Sequence, residues 1–208
     1  MEILFEDQSI TVAVKPPELV SEQTDGQDGF ADLLAARNTN RYIGVVHRLD
    51  RGVGGVMVYA RTPLAAARLS SAVQEHRFQK EYLALCHGKP QKDEDTLCDL
   101  LFHDRMRNKT FVVDRVRRGV KEAILDYRVL EERNDPVLGV HCLLQIQLHT
   151  GRTHQIRVQL AHRGNPLLGD GKYGARGDRC PIALFCRRIS FPHPVTGKLL
   201  TFEKDWNR

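Results

Sequence analysis

The chain lacks several features that would mark whole classes of protein. No stretch of its 208 residues approaches the roughly 18 consecutive apolar positions needed to cross a bilayer as a helix. The opening Met1-Glu2-Ile3-Leu4-Phe5-Glu6-Asp7 has no basic start of the kind a secretory signal carries, so the expectation is a cytoplasmic protein without a membrane partner. Cysteine is sparse and odd in number: five, at Cys86, Cys98, Cys142, Cys180 and Cys186, with no Cys-x-x-Cys pair. That excludes a recognisable disulfide framework and a structural zinc knuckle. The nine histidines include no His-Glu-x-x-His, and no metal site is expected. Internal repeats, low-complexity tracts and evident linkers are also absent. With 41% hydrophobic and 27% charged residues, the chain reads as one globular domain over residues 1–208.

Acidic residues are missing from one stretch where their absence matters. Residues 147–163 hold Arg152, Arg157 and Arg163 and no acid, which suits contact with phosphates. Residues 103–118 carry six basic side chains against Asp104 and Asp114; such a mixed run is read as readily as a solvated strand face. The net charge of +5 is unevenly spread, because residues 1–40 hold eight acids and two bases. A polyanionic partner should therefore meet the chain beyond its first 40 residues.

What is present is a punctuated series of short strands. Runs with alternating or β-branched character occupy Ser9–Val14, Gly55–Ala60, Lys80–Cys86, Lys109–Val113, Ala123–Leu130, Val140–Leu148 and Ile182–Phe191. In Val140–Leu148 the residues Val140, Cys142, Leu144, Ile146 and Leu148 share one parity, predicting a half-buried strand. Helices are predicted over Pro63–Glu75, with Thr62 as N-cap and proline at the first helical position, over Thr153–His162, and more weakly over Gly29–Arg37. Many strands and few helices, without repeating βα units, make an α+β domain around a mostly antiparallel sheet.

One segment suggests chemistry directly. His47-Arg48-Leu49-Asp50 follows the apolar Ile43–Val46 and runs into the loop Arg51-Gly52-Val53-Gly54-Gly55. A carboxylate at such a junction, beside an arginine, is a candidate catalytic group. A nucleotide-cradling reading of the same glycines fails, since no Gly-Lys-Ser/Thr follows and no dinucleotide fingerprint is present.

Two further segments, Lys80-Glu81-Tyr82-Leu83-Ala84-Leu85 and His149-Thr150-Gly151-Arg152-Thr153-His154-Gln155-Ile156-Arg157, complete a pattern. In this order the three resemble the RluA-type pseudouridine synthases, which convert uridine in structured RNA to its carbon-linked isomer. The likeness extends to the opening strands around Ile3–Asp7 and Val14-Lys15-Pro16-Pro17, to Pro166-Leu167-Leu168-Gly169-Asp170-Gly171-Lys172-Tyr173-Gly174, and to Ala183-Leu184-Phe185 with Phe191-Pro192-His193-Pro194. It departs at Val53 and Gly54, where the family usually has threonine and serine, and at Phe185, where histidine is common.

The resemblance implies the pseudouridine synthase fold, with flanking helices and a central active-site cleft, and no separate N-terminal RNA-binding module. It implies a cofactor-free isomerisation: the N-glycosidic bond of uridine breaks, the uracil turns over, and carbon rejoins the same ribose carbon. By this likeness Asp50 is the catalytic carboxylate, as nucleophile or base. Tyr82 is the aromatic against the freed base, and Arg157 the cation beside Asp50. Arg48 either fills the space left by the flipped base or makes a flanking salt bridge. Leu184 walls the base pocket, and Arg152, His154 and Gln155 are expected to contact substrate. The implied partner is ribosomal or transfer RNA rather than DNA, met by a monomer. The competing reading is a non-catalytic RNA-binding or RNA-chaperone protein on the same fold, although phosphate binding alone needs neither the aspartate nor the tyrosine.

Overall fold

The computed structural model of the chain describes residues 1–24, 26–37 and 42–206. In chain order its elements begin with β1 (Glu2–Glu6), β2 (Ile10–Lys15), α1 (Phe30–Arg37), β3 (Gly44–Val45), β4 (Gly54–Ala60) and α2 (Pro63–Gln74). There follow β5 (Gln79–His87), β6 (Glu94–Asp104), β7 (Lys109–Val113), β8 (Val120–Asp135) and β9 (Gly139–Leu148). The last are α3 (Gln155–His162), β10 (Leu184–Pro192) and β11 (Leu199–Glu203). The chain forms two compact units, one from Met1–Glu81 with Phe185–Arg208 and the other from Tyr82–Leu184.

In the first unit the strands run β1-β2-β4-β10, with β3 on β4 and β11 on β10. β4 is buried at every position, lying between antiparallel β2 and parallel β10. Its apolar run Val56-Met57-Val58-Tyr59-Ala60 reads as a central strand covered on both faces, where alternation is not required. α2 covers β4 with Ala65, Leu69 and Ala72, spaced to share one helical face. It starts as the sequence predicts: the Thr62 hydroxyl accepts from the Ala65 amide at 3.1 Å and Pro63 stands in the first turn.

The close approach of β4 to β10 depends on one residue. Gly55 has φ +137°, and a Cβ built there would lie 2.4 Å from the Cys186 carbonyl oxygen. Only glycine brings the two backbones together in this way.

The second unit is the sheet β5-β9-β8-β6-β7 with α3 on one face. β8 pairs antiparallel with both β9 and β6, and β6 with β7. The predicted parity of β9 is seen at its centre, where Cys142, Leu144 and Ile146 are fully buried. Val158 of α3 packs onto Leu101 and Ala123, with Val112 and Tyr173 beside them. β6 was not among the predicted strands. Glu94, Asp95 and Asp99 break its apolar pattern, and pairing with β8 and β7 on either side makes it a strand. The helix predicted from Thr153 begins two residues later, because His154 takes up the left-handed conformation at φ 55°, ψ 24°.

Candidate active-site residues

In the first unit, Asp50 opens a tight turn leading into β4. Its carbonyl accepts from the Val53 amide at 3.0 Å. The turn is anchored just upstream by Leu49, which is buried and held on both backbone groups by one side chain: the Ser21 hydroxyl donates to the Leu49 carbonyl at 2.9 Å and accepts from its amide at 3.0 Å. Asp50 itself is half-buried.

The turn has a second anchor that sequence reasoning passed over. Lys15, the last residue of β2, is wholly buried. Its ammonium donates to the carbonyls of Pro16 at 2.9 Å and Leu19 at 2.6 Å and reaches that of Arg51 at 3.5 Å. Burial lowers its pKa to about 8, against the opposing pull of the Asp50 and Glu18 charges. Lys15 therefore sets a buried positive charge near Asp50 and tethers the residue after it. The signal available in the sequence was a lysine ending an apolar strand immediately before two prolines, where carbonyls have few amide partners.

His47 is not an acid or base in this arrangement. Burial, reinforced by the charge of Lys80, takes its pKa down to about 3, so the ring is neutral. Nε2 accepts from the Val58 amide at 3.1 Å, which assigns the proton to Nδ1, and that buried atom has no hydrogen-bond partner among the described residues. The ring also contacts Phe78, with centroids 4.9 Å apart. Arg48 points outward and pairs with Glu22 at 2.8 Å, its side chain 70% exposed, which matches the flanking-salt-bridge alternative.

In the second unit the predicted residues gather at the start of α3. Gln155 is buried, and its amide braces the preceding turn: the side-chain oxygen accepts from the Thr150 hydroxyl at 2.8 Å and the Arg152 amide at 3.0 Å, while Nε2 donates to the Ile124 carbonyl at 3.1 Å. Arg152 lies along β8, donating from Nε to the Glu122 carbonyl at 2.8 Å. The buried His154 ring meets the Tyr173 hydroxyl at 2.9 Å.

Arg157 is 5% exposed and forms a two-pronged pair with Asp170, Nε to Oδ2 at 2.7 Å and Nη2 to Oδ1 at 2.9 Å, with Asp170 fully buried. The guanidinium also lies over the Tyr173 ring at 5.2 Å. Such a fork fixes both position and plane of the cation. Asp170 is held by a sharp turn at Gly169, whose φ is +75° and where a Cβ would stand 2.3 Å from the Pro181 carbonyl oxygen. The pairing of Asp170 with Arg157 is the second buried contact the sequence did not reveal. Asp170 stood in a recognised segment, but nothing in that segment names a partner thirteen positions upstream.

Tyr82 and Leu184 are both buried, at 5% and 6% exposure, Tyr82 in β5 and Leu184 at the start of β10. No three His, Cys, Asp or Glu side chains gather as metal ligands among the described residues, and no described helix is long and apolar enough to cross a membrane.

Comparison with known proteins adds the following. The family model described as RNA pseudouridylate synthase matches residues 9–162. Among curated proteins, an uncharacterized RNA pseudouridine synthase of Synechocystis is 34% identical, over 97% of this chain and 64% of its own length. The ribosomal large subunit pseudouridine synthase D of Pseudomonas aeruginosa is 34% identical over 98% of the chain and 67% of its own length. The chain thus spans about two thirds of these relatives. Among solved structures, human RNA Pseudouridylate Synthase Domain Containing 4 aligns with TM-score 0.79 at 23% identity, covering 100% of this chain and 89% of that one. Human RNA Pseudouridylate Synthase Domain Containing 1 aligns with TM-score 0.82 at 22% identity, covering 98% and 82%. These two likenesses establish the shared fold.

Proposed function

Since the chain belongs to the RNA pseudouridylate synthase family, we propose that it isomerises a uridine in structured RNA to pseudouridine, with Asp50 as the catalytic carboxylate. The observation that carries this reading is the construction around Asp50: a half-buried carboxylate on a turn pinned by Ser21 and tethered by a buried lysine. A solvated turn-forming aspartate has no use for a desolvated cation nearby.

In this reading Asp50 acts on the ribose as nucleophile or base while the glycosidic bond breaks. Tyr82 stacks on the freed uracil and Leu184 lines the apolar wall. Arg157, its fork oriented by Asp170, stabilises negative charge at the reacting groups. The target uridine leaves its stack to be reached, at a cost of a few kcal/mol, and Arg48 is free to exchange its exposed partner Glu22 for the vacated space, since surface ion pairs are worth little. Arg152 contacts the RNA strand near the turn, while the buried His154 and Gln155 hold that turn in shape. No cofactor enters, because the reaction neither transfers electrons nor needs a group donor. Ribosomal RNA is the proposed substrate, supported by relatives named ribosomal large subunit pseudouridine synthase D.

The test is Asp50→Asn, which keeps shape and removes charge. Single-turnover conversion of ribosomal RNA fragments, read by chemical mapping of pseudouridine, should fall below detection while RNA affinity stays close to wild type. Conversion by the asparagine variant at a rate near wild type would remove Asp50 from the chemistry.

A further inference from the structure

The two turns at the ends of β7 repeat a pattern that the proposed chemistry does not use. Arg105-Met106-Arg107 lies in the turn between β6 and β7, and Arg115-Val116-Arg117 in the turn between β7 and β8. Met106 is 99% exposed and Val116 80% exposed. Turn tips normally carry polar residues, and an apolar tip bracketed by arginines on both sides, twice, is unexplained by folding. Asp104 is engaged in the first turn, its Oδ1 accepting from the amides of Met106 and Arg107 at 3.0 and 3.1 Å. The ion pairs of these turns, Arg107 with Asp104 at 3.7 Å and Arg115 with Asp114 at 3.9 Å, are long and exposed, leaving the guanidiniums available.

Between the turns lies a sheet face with the same character. α3 packs on the side of Leu101, Val112 and Ala123. Alternation therefore sends Phe102 and Phe111, which are cross-strand partners, to the opposite side. Both are half-buried, and each has a cation beside its ring: Arg117 at 4.9 Å from Phe102 and Lys109 at 5.7 Å from Phe111. Rings interleaved with cations are what stacked bases and their phosphates require. A protein partner would favour an interface core depleted of charge, whereas here both rings and both turn tips are bordered by basic residues.

We propose that this face of β6 and β7, with the arginine-flanked turns at its two ends, is an RNA-contact surface carried by the Tyr82–Leu184 unit, in addition to the residues that handle the reacting uridine. The arginines take phosphates, and the Phe102–Phe111 pair and the apolar tips meet bases. The proposal rests on the reading that the substrate is RNA. Five residues of β7 put the turns about 17 Å apart, farther than the roughly 8–10 Å over which exposed charges feel each other in physiological salt. The two turns should therefore act independently.

The test uses fluorescein-labelled stem-loop RNA, with binding followed by anisotropy over a range of salt concentrations. The full chain is compared with Arg105→Ala/Arg107→Ala, Arg115→Ala/Arg117→Ala and the fourfold variant. All four side chains are exposed, and circular dichroism checks that each variant is folded. Each double variant should lose about 1.4–1.8 from the slope of log affinity against log salt, and the fourfold variant about twice that. A steep wild-type slope left unchanged in all three variants overturns the surface and leaves the RNA reading standing. Failure of wild-type protein to bind structured RNA overturns both. If the variants instead dissociate a wild-type dimer in sedimentation with the slope unaltered, the face is a contact between copies and the proposal falls.

Discussion

Two buried charges organise the residues at the centre of the proposed chemistry, and each makes a distinct prediction. Lys15 ionises at about 8 in the folded chain against an ordinary 10.5. Between those values the unfolded chain holds the proton and the folded chain does not, so rising pH favours the folded state across that window. Urea midpoints at pH 7.5 and 10 should show wild type gaining on Lys15→Met over the interval; an unchanged gap would mean the lysine is not desolvated in solution. For Arg157 the partner is Asp170, and Asp170→Asn leaves a buried guanidinium facing a neutral amide. Unfolding should become easier by about 3–5 kcal/mol, the usual cost of breaking a buried pair from one side, and a variant as stable as wild type would contradict the pairing. Asp50 could be picked out as a candidate in the sequence because it lies between an apolar run and a glycine stretch and because two further segments complete the family pattern. Lys15 and Asp170 could not, because a buried charge is defined by its partners, and theirs lie elsewhere in the chain: Arg51 for one and Arg157 for the other.

Among the elements, those announced by a cap or by residue alternation were legible, whereas β6 and the far end of β8, which pairing alone sustains, were not. α2 was read from Thr62 and Pro63 because capping is a short-range bond, and β7 emerged with the boundaries Lys109–Val113. β8 runs from Val120 to Asp135, well past the predicted Ala123–Leu130, because register with β9 carries its exposed far end. The start of α3 was displaced by the left-handed His154, a conformation no sequence pattern announces for histidine. Contact between β4 and β10 supplies the prediction at this scale. Gly55→Ala would place a methyl within 2.4 Å of the Cys186 backbone at a φ unsuited to alanine, adding overpacking to backbone strain for about 3 kcal/mol or more. Thermal unfolding at low scan rate measures it, and a midpoint near wild type would show that β10 yields without cost.

For the molecule as a whole, acid sensitivity follows from carboxylates held below their ordinary pKa, of which three are partly buried. Burial pushes Asp7, Asp126 and Asp178 upward, but hydrogen bonds outweigh it and each ends below its ordinary 3.8. Asp7 is the best provided, accepting from the amides of Ser9 at 2.7 Å and Ile10 at 2.8 Å and meeting His193 at 2.9 Å. A folded pKa below the unfolded one adds stability that is complete above about pH 4 and fades as pH falls through the folded value. The urea midpoint should therefore drop between pH 5 and pH 3, and less steeply in Asp7→Asn; parallel profiles would exclude Asp7 as a contributor.

The outer strand of the second unit has a further consequence, for how molecules meet one another in a crowded solution. β7 ends that unit's strand order, and an outer strand normally presents amides to which another chain can add. Here the Tyr173 hydroxyl accepts from the outward Thr110 amide at 2.8 Å, occupying a donor that would otherwise invite a neighbour. Tyr173→Phe leaves that amide without its acceptor, and the variant should self-associate at concentrations where wild type stays dispersed, visible as a rise in light scattering with time.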